Sequence, residues 1–201
     1  MADRRRSSPR APDSAYDAAG SKSRATQKAG AKPVNPDVQE NTFSVLVDNE
    51  AGVLHRIVGL FSGRGYNIES LTVSEVDDAQ RLSKITIVTS GTPQIIDQIR
   101  AQLDRLVPVH KVANLTADGP SVQREMGLVK VVGTGEVRVE ALRIADIFRA
   151  QVVDSTNRSF VFEITGSSDK LNAFIELMRP LGLADISRTG IVAIARGDAE
   201  M

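Results

Sequence analysis

Apolar positions along the chain fall into two successive blocks that share one rhythm. In the first, Phe43, Val45 and Val47 alternate with other residues, which predicts a strand over 43–47. Val53, Leu54, Ile57, Leu60 and Phe61 then recur at helical spacing over 52–62, and Gly63-Arg64-Gly65 supplies a left-handed stop. A second strand is expected over 67–74, with Leu71 and Val73 toward the helices and Ile68, Ser70, Thr72 and Ser74 on the other face. Asp77-Asp78 marks a turn, and Leu82–Thr89 reads as a third strand with Ile85 and Ile87 inward. Thr92-Pro93 opens a helix carrying Ile95, Ile96, Ile99, Leu103 and Leu106, and Val109–Leu115 follows as a strand. The order is β-α-β-β-α-β.

The segment 117–124, which contains Asp118-Gly119-Pro120, reads as a linker, after which the order repeats. Strands are expected over 126–132, 152–153 and 160–165. The helix 139–150 carries Leu142, Ala145 and Phe148 on one side, and Ser168 caps a helix over 169–178. Residues 185–195 close the unit. Ile57-Val58-Gly59-Leu60-Phe61 and Ile144-Ala145-Asp146-Ile147-Phe148 occupy like places in the two halves. The fold class is therefore α+β: two ferredoxin-like βαββαβ domains over 42–116 and 125–198, each a four-stranded sheet with helices on one face. Exposed sheet edges invite pairing with a second copy.

Composition adds limits. Residues 1–40 are rich in Ala, Ser, Pro, Arg and Lys and are too poor in apolar side chains to offset ordering entropy, so a disordered tail is expected. Lys plus Arg and Asp plus Glu are both 25, so no charge bias points to nucleic acid or an acidic membrane surface. The chain has no cysteine, which removes disulfides, thiolate metal sites and thiol catalysis and fits a reducing compartment. Without a bilayer-spanning apolar run or a secretory signal, the expected location is the cytoplasm.

Candidate chemistry centres on Asp48-Asn49-Glu50-Ala51-Gly52-Val53-Leu54, a strand-to-helix turn. The first N–H groups of a helix lack internal partners and carry partial positive charge, so an anion can dock there. Gly52 permits close approach, and the Asn49 amide oxygen can accept from an ammonium group. Together they suit a free α-amino acid. The same residues also serve as an ordinary helix cap and turn.

Other chemistries lack their residues. His55 and His110 are the only histidines, and neither has a partner at metal-ligand spacing. Gly133-Thr134-Gly135 lacks the third glycine of a dinucleotide fingerprint, since Arg138 stands there. No G-x-S-x-G elbow is present. RNA-recognition domains share the βαββαβ order but stack bases on aromatics of the central strands. Here Ser70, Thr72, Ser74, Lys84, Thr86 and Val88 hold those places.

Several runs carry a resemblance to a known family. They are 48–54, Arg56–Ser62, Arg64-Gly65-Tyr66-Asn67-Ile68-Glu69-Ser70-Leu71-Thr72-Val73, Leu106-Val107-Pro108-Val109, Leu128-Val129-Lys130-Val131 and Arg188-Thr189-Gly190. Over about 42–198 the chain resembles the small regulatory subunit of acetohydroxyacid (acetolactate) synthase. The resemblance implies an N-terminal ACT domain that dimerises and a C-terminal domain of related plan. It implies a non-catalytic subunit that joins a large catalytic subunit holding thiamine diphosphate, magnesium and FAD. It also implies activation of that partner, with feedback inhibition by valine and in some members by leucine or isoleucine. The family's valine site carries over to Asn49, Gly52, Val53 and Leu54 of one protomer with Asn67 and Ile68 of the other. In that reading the N–H groups of Gly52 and Val53 hold the carboxylate, Asn49 and Asn67 orient the ammonium, and Leu54 and Ile68 line the pocket. His55 stands where relatives often have a smaller residue. A free-standing ACT amino-acid sensor and an RNA-binding module are the other classes this order admits.

Overall fold

The computed structural model describes residues 37–198, so the expected tail lies outside the described residues up to position 36. Residues 37–198 belong to one compact unit. Its first half runs β1 (Gln39–Asp48), α1 (Val53–Arg64), β2 (Ser70–Asp77), β3 (Leu82–Gly91), α2 (Pro93–Leu103) and β4 (Val109–Asn114). The second runs β5 (Ser121–Val132), α3 (Glu136–Ile147), β6 (Gln151–Ser155), β7 (Ser159–Gly166), α4 (Ser168–Met178), β8 (Leu183–Arg188) and β9 (Val192–Ala195). The sheets have orders β2-β3-β1-β4 and β6-β7-β5-β8, and their pairings are antiparallel. This is the expected ferredoxin-like plan, used twice.

Each half has its own core. Phe43, Val45 and Val47 meet Ile57, Phe61, Ile85, Ile87, Ile99 and Leu103 in the first. Val129, Phe160, Phe162, Ile164, Leu171, Phe174 and Met178 build the second. Local signals set the helix ends. Gly65 takes φ +72° and passes its N–H to the Phe61 and Ser62 carbonyls, which closes α1. Thr92 and Pro93 open α2 as expected, although the Thr92 side chain makes no capping bond.

Several expectations need correction. Gln39 and Glu40 belong to β1 and not to the tail, because they pair with Gly91 and Ser90 of β3. Ser121–Arg124 is strand and not linker, because it pairs with β9 and adds a fifth strand to the second sheet. The remaining connection is a tight turn built on Asn114. Its Oδ1 accepts from the N–H groups of Thr116 (3.1 Å) and Ala117 (3.2 Å), and its Nδ2 donates to buried Asn41 (2.9 Å). Helix α3 starts three residues early and buries Ala141, Ile144 and Ala145, while Leu142 is exposed. Ser167, not Ser168, caps α4, accepting from the Lys170 N–H. Val73, expected inward, is exposed on β2, and Ile68, expected on the opposite face, packs against the first core.

The sheet face away from α1 and α2 is not open. Thr42, Ser44, Thr86 and Val88 are buried there. Thr42 Oγ1 donates to Gln123 Oε1 (3.4 Å), and the chain around Gly190 lies on Ser70 and Thr72. Base stacking needs this face free, so its burial argues against the RNA-binding alternative. Among the described residues no helix is long and apolar enough to cross a membrane.

Candidate functional site

The strand-to-helix turn begins where β1 ends. The Asp48 N–H donates to the Pro108 carbonyl (2.9 Å), and its carboxylate meets His110 Nε2 at 2.6 Å. His110 sits at the irregularity in the β1–β4 register, between Val109, opposite Val47, and Lys111, opposite Leu46. A bulge of this kind re-aims a side chain, here toward Asp48. Sequence spacing gave no sign of this pair, because the bulge that aims His110 arises only when β4 meets β1.

Asn49 follows, half-buried, with its N–H fixed to the Arg81 carbonyl (2.7 Å). Gly52 then adopts φ +89°, and a Cβ there would meet nothing within 4 Å. The glycine is needed for its backbone, not for room inside the fold. Space opens outward from it.

The donors differ in part from those expected. The Val53 N–H closes a loose turn onto the Glu50 carbonyl at 3.3 Å, and its side chain is buried in the first core. The N–H groups of Gly52, Leu54 and His55 meet no acceptor among the described residues. These three are the unfilled donors at the positive end of α1. The Leu54 side chain is 40% exposed, although its spacing placed it on the apolar stripe. It stands beside the turn as an apolar wall.

Asn67 and Ile68 do not join this group within one chain. They precede β2 at the opposite end of the sheet. Asp48 pairs with Leu82 and Ser70 with Val88, positions about 20 Å apart at the usual strand rise. The Asn67 carbonyl accepts from buried Thr89 Oγ1 (2.6 Å), and the Glu69 N–H donates to the Val88 carbonyl (2.8 Å). Strand β3 thus holds this wall firmly, while the Asn67 side chain remains exposed.

A separate cleft of about 450 Å³ lies between the halves, lined by Glu40, Glu69, Glu125, Ser168 and Arg188 among others. Arg188 grips buried Glu125 through both carboxylate oxygens (2.6 and 2.5 Å), which raises its already high pKa despite partial burial. The Glu40 carboxyl is pushed above the ordinary carboxylate range, first by burial, then by its hydrogen bond with Glu69 and the nearby negative charge. Among the described residues no cluster suits a metal ion.

Comparison with known proteins gives this geometry a context. A family model for the AHAS small subunit-like ACT domain matches residues 43–111, and one for the small subunit of acetolactate synthase matches 124–197. The acetolactate synthase isozyme 3 small subunit of Salmonella typhimurium is 45% identical over 160 residues, covering 79% of this chain and 97% of its own. The acetolactate synthase small subunit of Haemophilus influenzae is 46% identical over 157 residues, covering 78% and 95%. The crystal structure of the acetolactate synthase small subunit from Thermotoga maritima is similar with a TM-score of 0.72 at 37% identity, covering 80% of this chain and 99% of that one. The turn at Gly52 therefore lies in an ACT domain, and the chain belongs to the family of acetolactate synthase small subunits.

Proposed function

We propose that the chain is the regulatory subunit of a cytosolic acetolactate synthase. It activates a catalytic subunit that carries thiamine diphosphate, magnesium and FAD, and it makes that enzyme sensitive to feedback inhibition by valine. Two copies join through their ACT domains, and the effector sits at the seam. The carboxylate docks on the unpaired N–H groups of Gly52, Leu54 and His55. Asn49 and the second copy's Asn67 take the ammonium, and Leu54 and Ile68 bound the side chain. The observation that carries the reading is the open, donor-rich turn at Gly52 in a chain of this family.

Selectivity follows from size. A small apolar pocket separates neighbours by about 1–3 kcal/mol per methylene, so valine over leucine is a matter of degree. Inhibition needs valine to favour one state of the assembly, typically by about 1–3 kcal/mol.

The deciding experiment is an acetolactate assay of the catalytic subunit with and without this chain across a valine series. Added chain should raise turnover and bring inhibition. Unchanged turnover and sensitivity, with the chain co-purifying instead with an unrelated protein, would leave a free-standing ACT sensor. Gly52→Asp places a carboxylate among the anion donors, and titration calorimetry should show valine binding lost. The positive φ adds about 1–2 kcal/mol of backbone strain without a clash, so the variant should still fold.

A further inference from the structure

Strand β2 starts three residues after Asn67, and its side chains reach the C-terminal half. Ser70 Oγ accepts from the Ile191 N–H at 2.9 Å, and Thr72 Oγ1 donates to the Thr189 carbonyl at 3.4 Å. Between them lies Gly190, at φ +82°, so close that a Cβ would stand 2.7 Å from Ser70 Oγ and 2.9 Å from Thr72 Oγ1. Only a glycine lets the loop lie flat on the strand.

The loop is tied far more firmly on its other side. The Thr189 N–H donates to the Met126 carbonyl (3.0 Å), and Thr189 Oγ1 accepts from the Met126 N–H (3.1 Å). Arg188 is clamped to Glu125, which also accepts from Ser168 Oγ (3.0 Å) at the start of α4. Arg188 further donates to Asn172 on α4 (2.8 Å). The loop therefore moves with β5 and α4, and its contact with β2 is the weaker joint. On the other side of that joint, Thr89 and Val88 hold Asn67 and Glu69 to β3.

We propose that the loop Arg188–Ile191, docked on Ser70 and Thr72, is the link through which effector occupancy reaches the C-terminal domain. The inference rests on the effector reading above. Effector bound against Asn67 and Ile68 sets the start of β2, and the following hydroxyls carry that setting to a loop locked onto the C-terminal sheet. The other side-chain hydrogen bond between the two halves among the described residues, Thr42 with Gln123, leaves from β1, which carries no part of the Asn67 wall. It holds the halves together without reporting on the seam.

The test uses the full chain with its catalytic subunit and measures valine binding by calorimetry, activation without valine, and inhibition. The unaltered chain should bind valine; failure to do so removes the effector reading and this inference with it. Given binding, the double variant Ser70→Ala, Thr72→Val should still bind valine and still activate. Half-inhibition should need about tenfold more valine, or activity should persist at saturation. Gln123→Ala should keep full inhibition. Gly190→Ala should uncouple likewise, and if it fails to fold, the hydroxyl variants decide alone. Inhibition that tracks valine binding unchanged in the double variant would overturn the link.

Discussion

Ser44 sits on the central strand β1, fully buried, and its Oγ has no hydrogen-bond partner among the described residues. A buried hydroxyl without a partner costs roughly 1–3 kcal/mol. Ser44→Ala should therefore stabilise the chain by about 1 kcal/mol and raise the melting temperature by roughly 2–4 °C. Glu40 makes a second single-residue case. Burial and Glu69 raise its folded pKa above the unfolded value, so the native state holds the proton more tightly. Its contribution to stability is complete below the ordinary carboxylate range and is lost as pH rises through the raised value. As pH rises across that window the parent chain should lose melting temperature relative to Glu40→Gln, as differential scanning calorimetry of both over a pH series would show.

Strands and helices differ in how much of them the sequence disclosed, and the reason is the distance to each partner. Gly65, Thr92 and Pro93 act on their own turn of chain, so α1 and α2 could be placed from composition and spacing. Ser121–Arg124 carries no strong strand pattern and becomes strand only by pairing with Val192–Ala195, about seventy residues on. The Glu125–Arg188 clamp is hidden for the same reason, since both residues read as surface charges until β5 and β8 lie side by side. The turn at Gly52 was legible, but its donors were only partly so, because the Val53 N–H is drawn back to Glu50. The clamp yields a prediction at this scale. Arg188→Leu strands the carboxylate of Glu125, which is 5% exposed, and should destabilise by about 3 kcal/mol, or roughly 6–12 °C in melting temperature. Pairing it with Glu125→Leu removes the stranded charge and should recover much of the loss.

At the scale of the whole molecule, the separation between the two parts of the proposed effector site has a thermodynamic consequence. The donors at Gly52 and the wall at Asn67 stand about 20 Å apart along the sheet, too far for one valine to touch both in one chain. If two copies complete the site, valine binding and dimerisation are linked, and each strengthens the other by the same factor. Apparent valine affinity should then weaken as the chain is diluted below its dimer dissociation constant. Sedimentation at a fixed low concentration should show saturating valine shifting monomer to dimer. Gly52→Asp should abolish that shift while leaving dimerisation without valine intact, because the substitution touches the donors and not the strand edge. An affinity independent of protein concentration through the monomer–dimer range would mean that a single copy holds the whole effector site, and Asn67 would then have no part in it.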